Sequence, residues 1–207
     1  HLKKMGVELE NGSITEPTDL VRAVDGIEAI YHLGAAFQGG GPFTDEEYFE
    51  INVRGTFNVL EVARRAEGMC QLLFASSDAL YEKYVPGGME RPITEETPSR
   101  PHGAYALSKA LGEELCLGYA RSYGVPVTVL RFAMVRAADE ILAFPQFFLS
   151  QTKESYGELA SLWQGAEQIV VLKDERGRPF KKHIADVRDI VHGCRSEDHT
   201  SELQSPC

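Results

Sequence analysis

Three short apolar runs, "IEAIYHLGAA" (27–36), "CQLLFASS" (70–77) and "VPVTVLRF" (125–132), are separated by stretches of helical periodicity, and this alternation limits the fold more than any other feature. Each run has strand length, and each intervening stretch is long enough for a helix to cross a sheet face. Strands joined by such crossovers lie parallel, so the reading is α/β with a doubly wound parallel sheet. Other segments fit the scheme. "GVELENGSI" (6–14) reads as the end of an earlier strand, and "TEPTDLVRAVDG" (15–26) as a helix with Thr15 as N-cap, Pro17 in its first turn and Gly26 as its stop. Helices are expected near 45–67, over 105–121 and near 145–154, an apolar run at 168–172, and a short strand feeding a helix over 183–193.

Open parallel sheets bind ligands at the carboxyl ends of their strands. Here those ends carry Gly34-Ala35-Ala36, Ser76-Ser77 and Phe132-Ala133-Met134, small residues and hydroxyls that suit a flat ligand lying across the sheet edge. The segment "GAYALSKALGEEL" (103–115) adds chemistry, because Tyr105 and Lys109 are four apart and share one helix face. Leu107, Ala110, Leu111 and Leu115 form a separate apolar stripe, expected to pack on the core while the pair faces elsewhere.

A net charge of -10 over 207 residues, with no basic run longer than Lys3-Lys4 or Lys181-Lys182, argues against nucleic acid as a partner. Backbone amides could still hold an anionic cofactor. No apolar run reaches the ~20 residues of a membrane helix, so no membrane is expected. Cys70, Cys116, Cys194 and Cys207 have neither metal-ligand spacing nor the density of a disulfide framework, which points to no metal and to a reducing, cytoplasmic setting. The tail "RSEDHTSELQSPC" (195–207) closely resembles "RSEEHTSELQS", the translation of a common sequencing adapter, and is read as non-native.

Six segments stand in one order: "YHLGAA" (31–36), "NVRGTFNVLEVAR" (52–64), "FASSDALYE" (74–82), "PITEETPSRPHGAYALSK" (92–109), "VTVLRF" (127–132) and "HIADVRDIV" (183–191). Together they resemble the extended short-chain dehydrogenase/reductases, the NAD-dependent epimerase/dehydratase family, over about residues 6–193. The resemblance implies a Rossmann-type sheet lacking its first two strands. A partial NAD(P)-binding domain would span 1–132 plus about 168–194, and a partial substrate-binding region about 133–167. It implies Tyr105 as acid/base, Lys109 as its charged neighbour and holder of the nicotinamide ribose, and Ser77 as hydrogen-bond donor to the substrate oxygen. A phenol near pKa ~10 is a poor base at neutral pH, and a nearby ammonium together with a cationic nicotinamide ring would favour the phenolate. Leu33, Gly34, Ala35, Asn52, Ser76 and Phe132 would line the dinucleotide, with Asp78 and Met134 beside Ser77 at the substrate.

The departures from the family pattern are informative. The G-x-x-G-x-x-G phosphate loop is absent, and Gly39-Gly40-Gly41 follows the wrong strand to replace it. About 55–60 preceding residues are expected in the family, and without them 6–14 would have no partner and the strand at 27–36 would have a bare edge. Ala79 stands where dehydratases carry their glutamate base, and Met134 where nucleotide-sugar epimerases carry an asparagine. Dehydration is therefore disfavoured and a nucleotide-sugar substrate is in doubt. The expected activity is NAD(P)-dependent oxidation, reduction or epimerisation at a hydroxyl-bearing carbon of a sugar or sugar derivative, with NAD favoured over NADP. A non-catalytic dinucleotide-binding relative and an inactive fragment are the alternatives. By resemblance, the full-length protein is expected to be a homodimer through the helices near 45–67 and 105–121.

Overall fold

The computed structural model describes residues 2–37, 41–83, 91–171, 173–179 and 183–200. Gly39-Gly40, Lys181-Lys182 and the tail from 201 onward lie outside the described residues. The chain divides into two compact units, His1–Glu82 with Pro98–Phe132 and Gly193–Cys207, and Lys83–Thr97 with Ala133–His192.

In the first unit, α1 (Pro17–Ala23) opens on a proline whose fixed φ suits the first helical position. Its N-cap is Glu16 rather than Thr15 and makes no side-chain cap bond. β1 (Ala29–His32) follows, then α2 (Asp45–Tyr48), where Thr44 and Glu47 form a capping box. The helix continues through a π-helical stretch, Phe49–Arg54, into α3 (Gly55–Arg65). After β2 (Gln71–Ser77) come α4 (Gly103–Tyr123) and β3 (Val127–Phe132). Gly124 ends α4 at φ +69°, the left-handed conformation that glycine adopts without strain. The three strands form one parallel sheet in the order β1-β2-β3. β2 lies in the middle and is buried along nearly its whole length, the pattern of a strand covered on both faces.

The expected strand at 6–14 does not form. Leu2–Met5 makes a single 3₁₀ turn, and Val7 and Leu9 stay 44% and 46% exposed. Among the described residues nothing pairs with this run, so its backbone groups have no ladder to join. β1 is correspondingly an edge strand, with Tyr31 41% exposed.

The core gathers Val59, Leu60 and Ala63 of α3, Leu72 and Phe74 of β2, and Cys116 and Tyr119 of α4. The α4 face in this core is the expected stripe only in part, through Leu115 packed at its margin. Ala106, Ser108, Lys109, Gly112, Glu113, Cys116 and Tyr119 are its buried residues, whereas Leu107 is 43% exposed. The cause is close packing at Gly112, where a Cβ would lie 2.6 Å from Cζ of Phe74. Only a bare glycine lets α4 sit so near β2, and that contact turns Lys109 inward.

In the second unit, β4 (Met134–Arg136) pairs parallel with β5 (Ile184–Asp186). Between them lie α5 (Ala138–Leu142) and α6 (Leu149–Ser155), and α7 (Val187–Thr200) follows β5. Among the described residues no helix is long and apolar enough to cross a membrane.

Candidate functional site

Ser77 is the last residue of β2, and its side chain caps a 3₁₀ turn at Asp78–Leu80 by accepting from the Ala79 N–H at 3.2 Å. Tyr105 lies in the first turn of α4, with its phenol within the influence of the Ser77 hydroxyl. The approach to α4 is tied to the same turn, since Arg100 N–H donates to the Leu80 carbonyl at 2.7 Å. One helical turn beyond Tyr105, Lys109 is 4% exposed with its ammonium 4.3 Å from the Phe74 ring centroid. Burial pushes the Lys109 pKa down to about 8. Burial also raises the Tyr105 phenol above its usual value, opposed by the Ser77 hydroxyl and assisted by Asp78 and Tyr48. Within this chain alone desolvation outweighs the favourable contact. Tyr48, buried in α2, packs edge-on against it with centroids 6.0 Å apart.

Asn52 sits in the π-helical stretch, a helix distortion common at functional sites, and is 2% exposed. Its Oδ1 accepts from the Ala36 N–H at 2.8 Å, and its Nδ2 donates to the Ala36 carbonyl and to Ser108 Oγ, both at 2.9 Å. Ser108 Oγ donates in turn to the Tyr105 carbonyl at 2.8 Å. One carboxamide thus clips the chain leaving β1 to the helix carrying Tyr105.

A second tie holds α4 to the sheet. Arg131 of β3 reaches Glu113 through two hydrogen bonds of 2.8 and 2.6 Å and donates to the Tyr81 hydroxyl at 2.7 Å. Glu113 is four residues beyond Lys109 and raises the lysine's pKa against the effect of burial. It is paired two-point with Arg131 in a 7% exposed position.

The parallel register sets Ser77 beside Phe132 and Ser76 beside Arg131. Ser76 Oγ is buried with no hydrogen-bond partner among the described residues. Leu33, Gly34 and Ala35 leave the end of β1 with Leu33 59% exposed. Ser77, Asp78, Tyr105, Lys109, Asn52, Ser76, Leu33, Gly34, Ala35 and Phe132 all belong to the first unit, and Met134 belongs to the second. Sequence reasoning missed Ser108, Glu113, Arg131 and Tyr48. Only Glu113 carried a signal, its four-residue spacing from Lys109. Among the described residues no cluster of three or more His, Cys, Asp or Glu could hold a metal ion.

A solved short-chain dehydrogenase/reductase superfamily protein of Agrobacterium tumefaciens, with bound NAD, superposes with a TM-score of 0.79 at 34% identity, over 92% of this chain and 62% of that one. L-arabinose 1-dehydrogenase (NAD(P)(+)) of Haloferax volcanii is 29% identical over 153 residues, 68% of this chain and 58% of that protein. UDP-glucuronate 4-epimerase 2 of Arabidopsis thaliana is 26% identical over 205 residues, 97% of this chain and 44% of that protein. The chain thus spans about half the length of these two relatives. Parallel strands ending in Ser77, with a Tyr-x-x-x-Lys helix laid against them, agree with the match of residues 1–192 to the NAD dependent epimerase/dehydratase family, to which the chain belongs.

Proposed function

We propose that the protein oxidises or reduces a hydroxyl-bearing carbon of a sugar or sugar derivative with NAD, using Tyr105 as acid/base. The observation that carries this reading is the placing of Tyr105, at the start of α4, where the Ser77 hydroxyl at the end of the central strand bears on its phenol, with Lys109 one turn further along α4. Two features support a fit to the dinucleotide. The Ser76 hydroxyl is buried without a partner among the described residues, and the Leu33–Ala35 segment lies open at the end of β1. Leu33, Gly34, Ala35, Ser76, Lys109 and Phe132 would hold the cofactor, with Asn52 fixing the backbone at Ala36. When bound, NAD supplies the hydride acceptor or donor.

The chain's own groups manage the proton. Tyr105 as the protonated phenol gives its proton to the oxygen of a carbonyl substrate, and as phenolate it takes one from an alcohol. Ser77 donates a hydrogen bond to that same oxygen and stabilises the charge that develops there. Lys109 keeps a positive charge beneath the site, balanced by no carboxylate paired with it among the described residues. Met134 in place of an asparagine favours an unmodified sugar over a nucleotide sugar, and the arabinose dehydrogenase relative supports the same choice. The full-length protein forms a homodimer through α3 and α4, which leave Phe57, Leu107 and Leu117 42–44% exposed.

The test supplies the full-length protein and NAD with L-arabinose or with UDP-glucuronate, following NADH by absorbance and sugar products by NMR. Oxidation of the free sugar is expected, and Tyr105→Phe should lower kcat on the order of a thousandfold while retaining NAD binding. A product epimer without net NADH would redirect the assignment to epimerisation. Undiminished turnover by Tyr105→Phe, or NAD binding with no turnover of any sugar, would overturn the catalytic reading.

A further inference from the structure

His32 points inward from an edge strand and is 5% exposed, yet no step of the chemistry above uses it. Its Nε2 lies 2.9 Å from Thr56 Oγ1, across 24 residues of sequence, and the Thr56 hydroxyl donates to the Asn52 carbonyl at 2.6 Å. We propose that His32 and Thr56 are positioning residues for Tyr105, acting through Asn52. This rests on the reading of Tyr105 as acid/base.

Proton counting fixes the direction of the chain of bonds. A carbonyl oxygen only accepts, so Thr56 gives its single hydroxyl proton to Asn52. Thr56 Oγ1 then accepts from His32, and the imidazole must carry its proton on Nε2. Burial and the nearby Lys109 charge keep the ring neutral by driving its pKa down to about 4. The neutral ring therefore exists as the Nε2–H tautomer, with Nδ1 bare.

The geometry explains what this order achieves. Asn52 is held at two places, to β1 through its backbone carbonyl by way of Thr56 and His32, and to the chain that leaves β1 through its carboxamide on Ala36. A group anchored at two points cannot swing freely about either. Its third anchor, Ser108, is bonded to the Tyr105 carbonyl. His32 and Thr56 thus set how far the Tyr105 helix stands from the Leu33–Ala35 edge, and errors of about 1 Å in such spacings cost rate on the order of a hundredfold. Both residues are buried, at 5% and 1% exposure, and offer a ligand little surface, so the effect belongs in kcat.

The test uses the full-length protein with NAD and whichever sugar of the panel above turns over. In the wild type, nitrogen NMR of His32 should show a protonated Nε2 and a bare Nδ1. Thr56→Val keeps the shape and deletes the hydroxyl, and it should lower kcat about tenfold to a hundredfold with NAD affinity changed less than about threefold. Thr56→Ser should restore the rate and the His32 tautomer. An Nδ1–H tautomer in the wild type, or a Thr56→Val enzyme of full kcat beside an inactive Tyr105→Phe enzyme, would overturn this inference and leave the acid/base reading standing. Full turnover by Tyr105→Phe would instead remove the reading beneath it. Should Thr56→Val fail to fold, the wild-type tautomer and the Thr56→Ser rate decide.

Discussion

At the residue scale, Lys109 holds a charge where burial disfavours it, and the lowered pKa, about 8, brings its loss of a proton within the working range. Tyr105 is shifted the other way, above its usual value. In the reductive direction the site needs both protons, on the phenol to be donated and on the ammonium to hold charge. As pH rises, Lys109 deprotonates first while Tyr105 remains a phenol. The reductive kcat/KM, which reports the free enzyme's groups, should therefore be level below about pH 7 and fall up to about tenfold per unit above about 8. Lys109→Arg keeps its charge to high pH and should move that fall upward, measured as NADH consumption across a pH series. The oxidative direction needs the phenolate instead and should rise with pH up to the point where Lys109 loses its proton. Tyr105 and Lys109 were legible as a pair because their spacing is local. Their shifts were not, since both follow from burial against Phe74, Tyr48 and Asp78, which are distant in sequence.

At the element scale, α4 shows where periodicity misleads. Leu107, Ala110, Leu111 and Leu115 make a respectable apolar stripe, yet the face that packs carries Ser108, Lys109 and Glu113. Each of these polar groups meets something far along the chain: Ser108 is satisfied by Asn52, 56 residues away, Glu113 by Arg131, 18 away, and the Lys109 ammonium lies over the Phe74 ring. A hydrophobicity pattern cannot register such partners, whereas strand and helix order could be read because it depends on local runs. The glycine inside this face gives a direct check. Gly112→Ala gains about 1 kcal/mol of helix propensity, but its Cβ would meet Phe74 at 2.6 Å, and that ring is fixed between His32 and Lys109. Overpacking should dominate, lowering stability by about 1–3 kcal/mol in denaturant titration and displacing the seat of Lys109. The exposed side of the same helix predicts assembly. Stable dimers bury about 1,200–2,000 Å², and Leu107 and Leu117 with Phe57 of α3 supply apolar area on two adjacent helices. Leu117→Glu with Phe57→Glu should convert the full-length dimer to monomer in sedimentation velocity, and a dimer that survives both changes would place the interface elsewhere.

At the scale of the whole molecule, the three-stranded sheet has one strand buried on both faces and two at its edges. Among the described residues no strand pairs with the outer edge of β1, and Val7, Leu9, Tyr31 and Leu33 are 41–59% exposed. An unpaired edge forgoes ladder hydrogen bonds and invites pairing with other chains. The apolar side chains beside it forgo about 25 cal/mol for each Å² left in water. Folding free energies are only about 5–15 kcal/mol, so a deficit spread over four such residues and one open strand edge is a large fraction of the total. The phosphate cradle expected of the family is also absent from the described residues, which leaves the nicotinamide end of the site without its counterpart for the pyrophosphate. The 207-residue chain on its own is therefore expected to melt broadly, to associate as its concentration rises, and to bind NAD with a Kd above about 1 mM, near the weak limit of specific recognition. Calorimetry and NAD titration on this chain check the prediction against the full-length protein. A sharp two-state melt with micromolar NAD affinity would mean that the three-stranded core and the Ser77, Tyr105 and Lys109 site suffice by themselves, and that the open edge costs far less than its exposed surface implies.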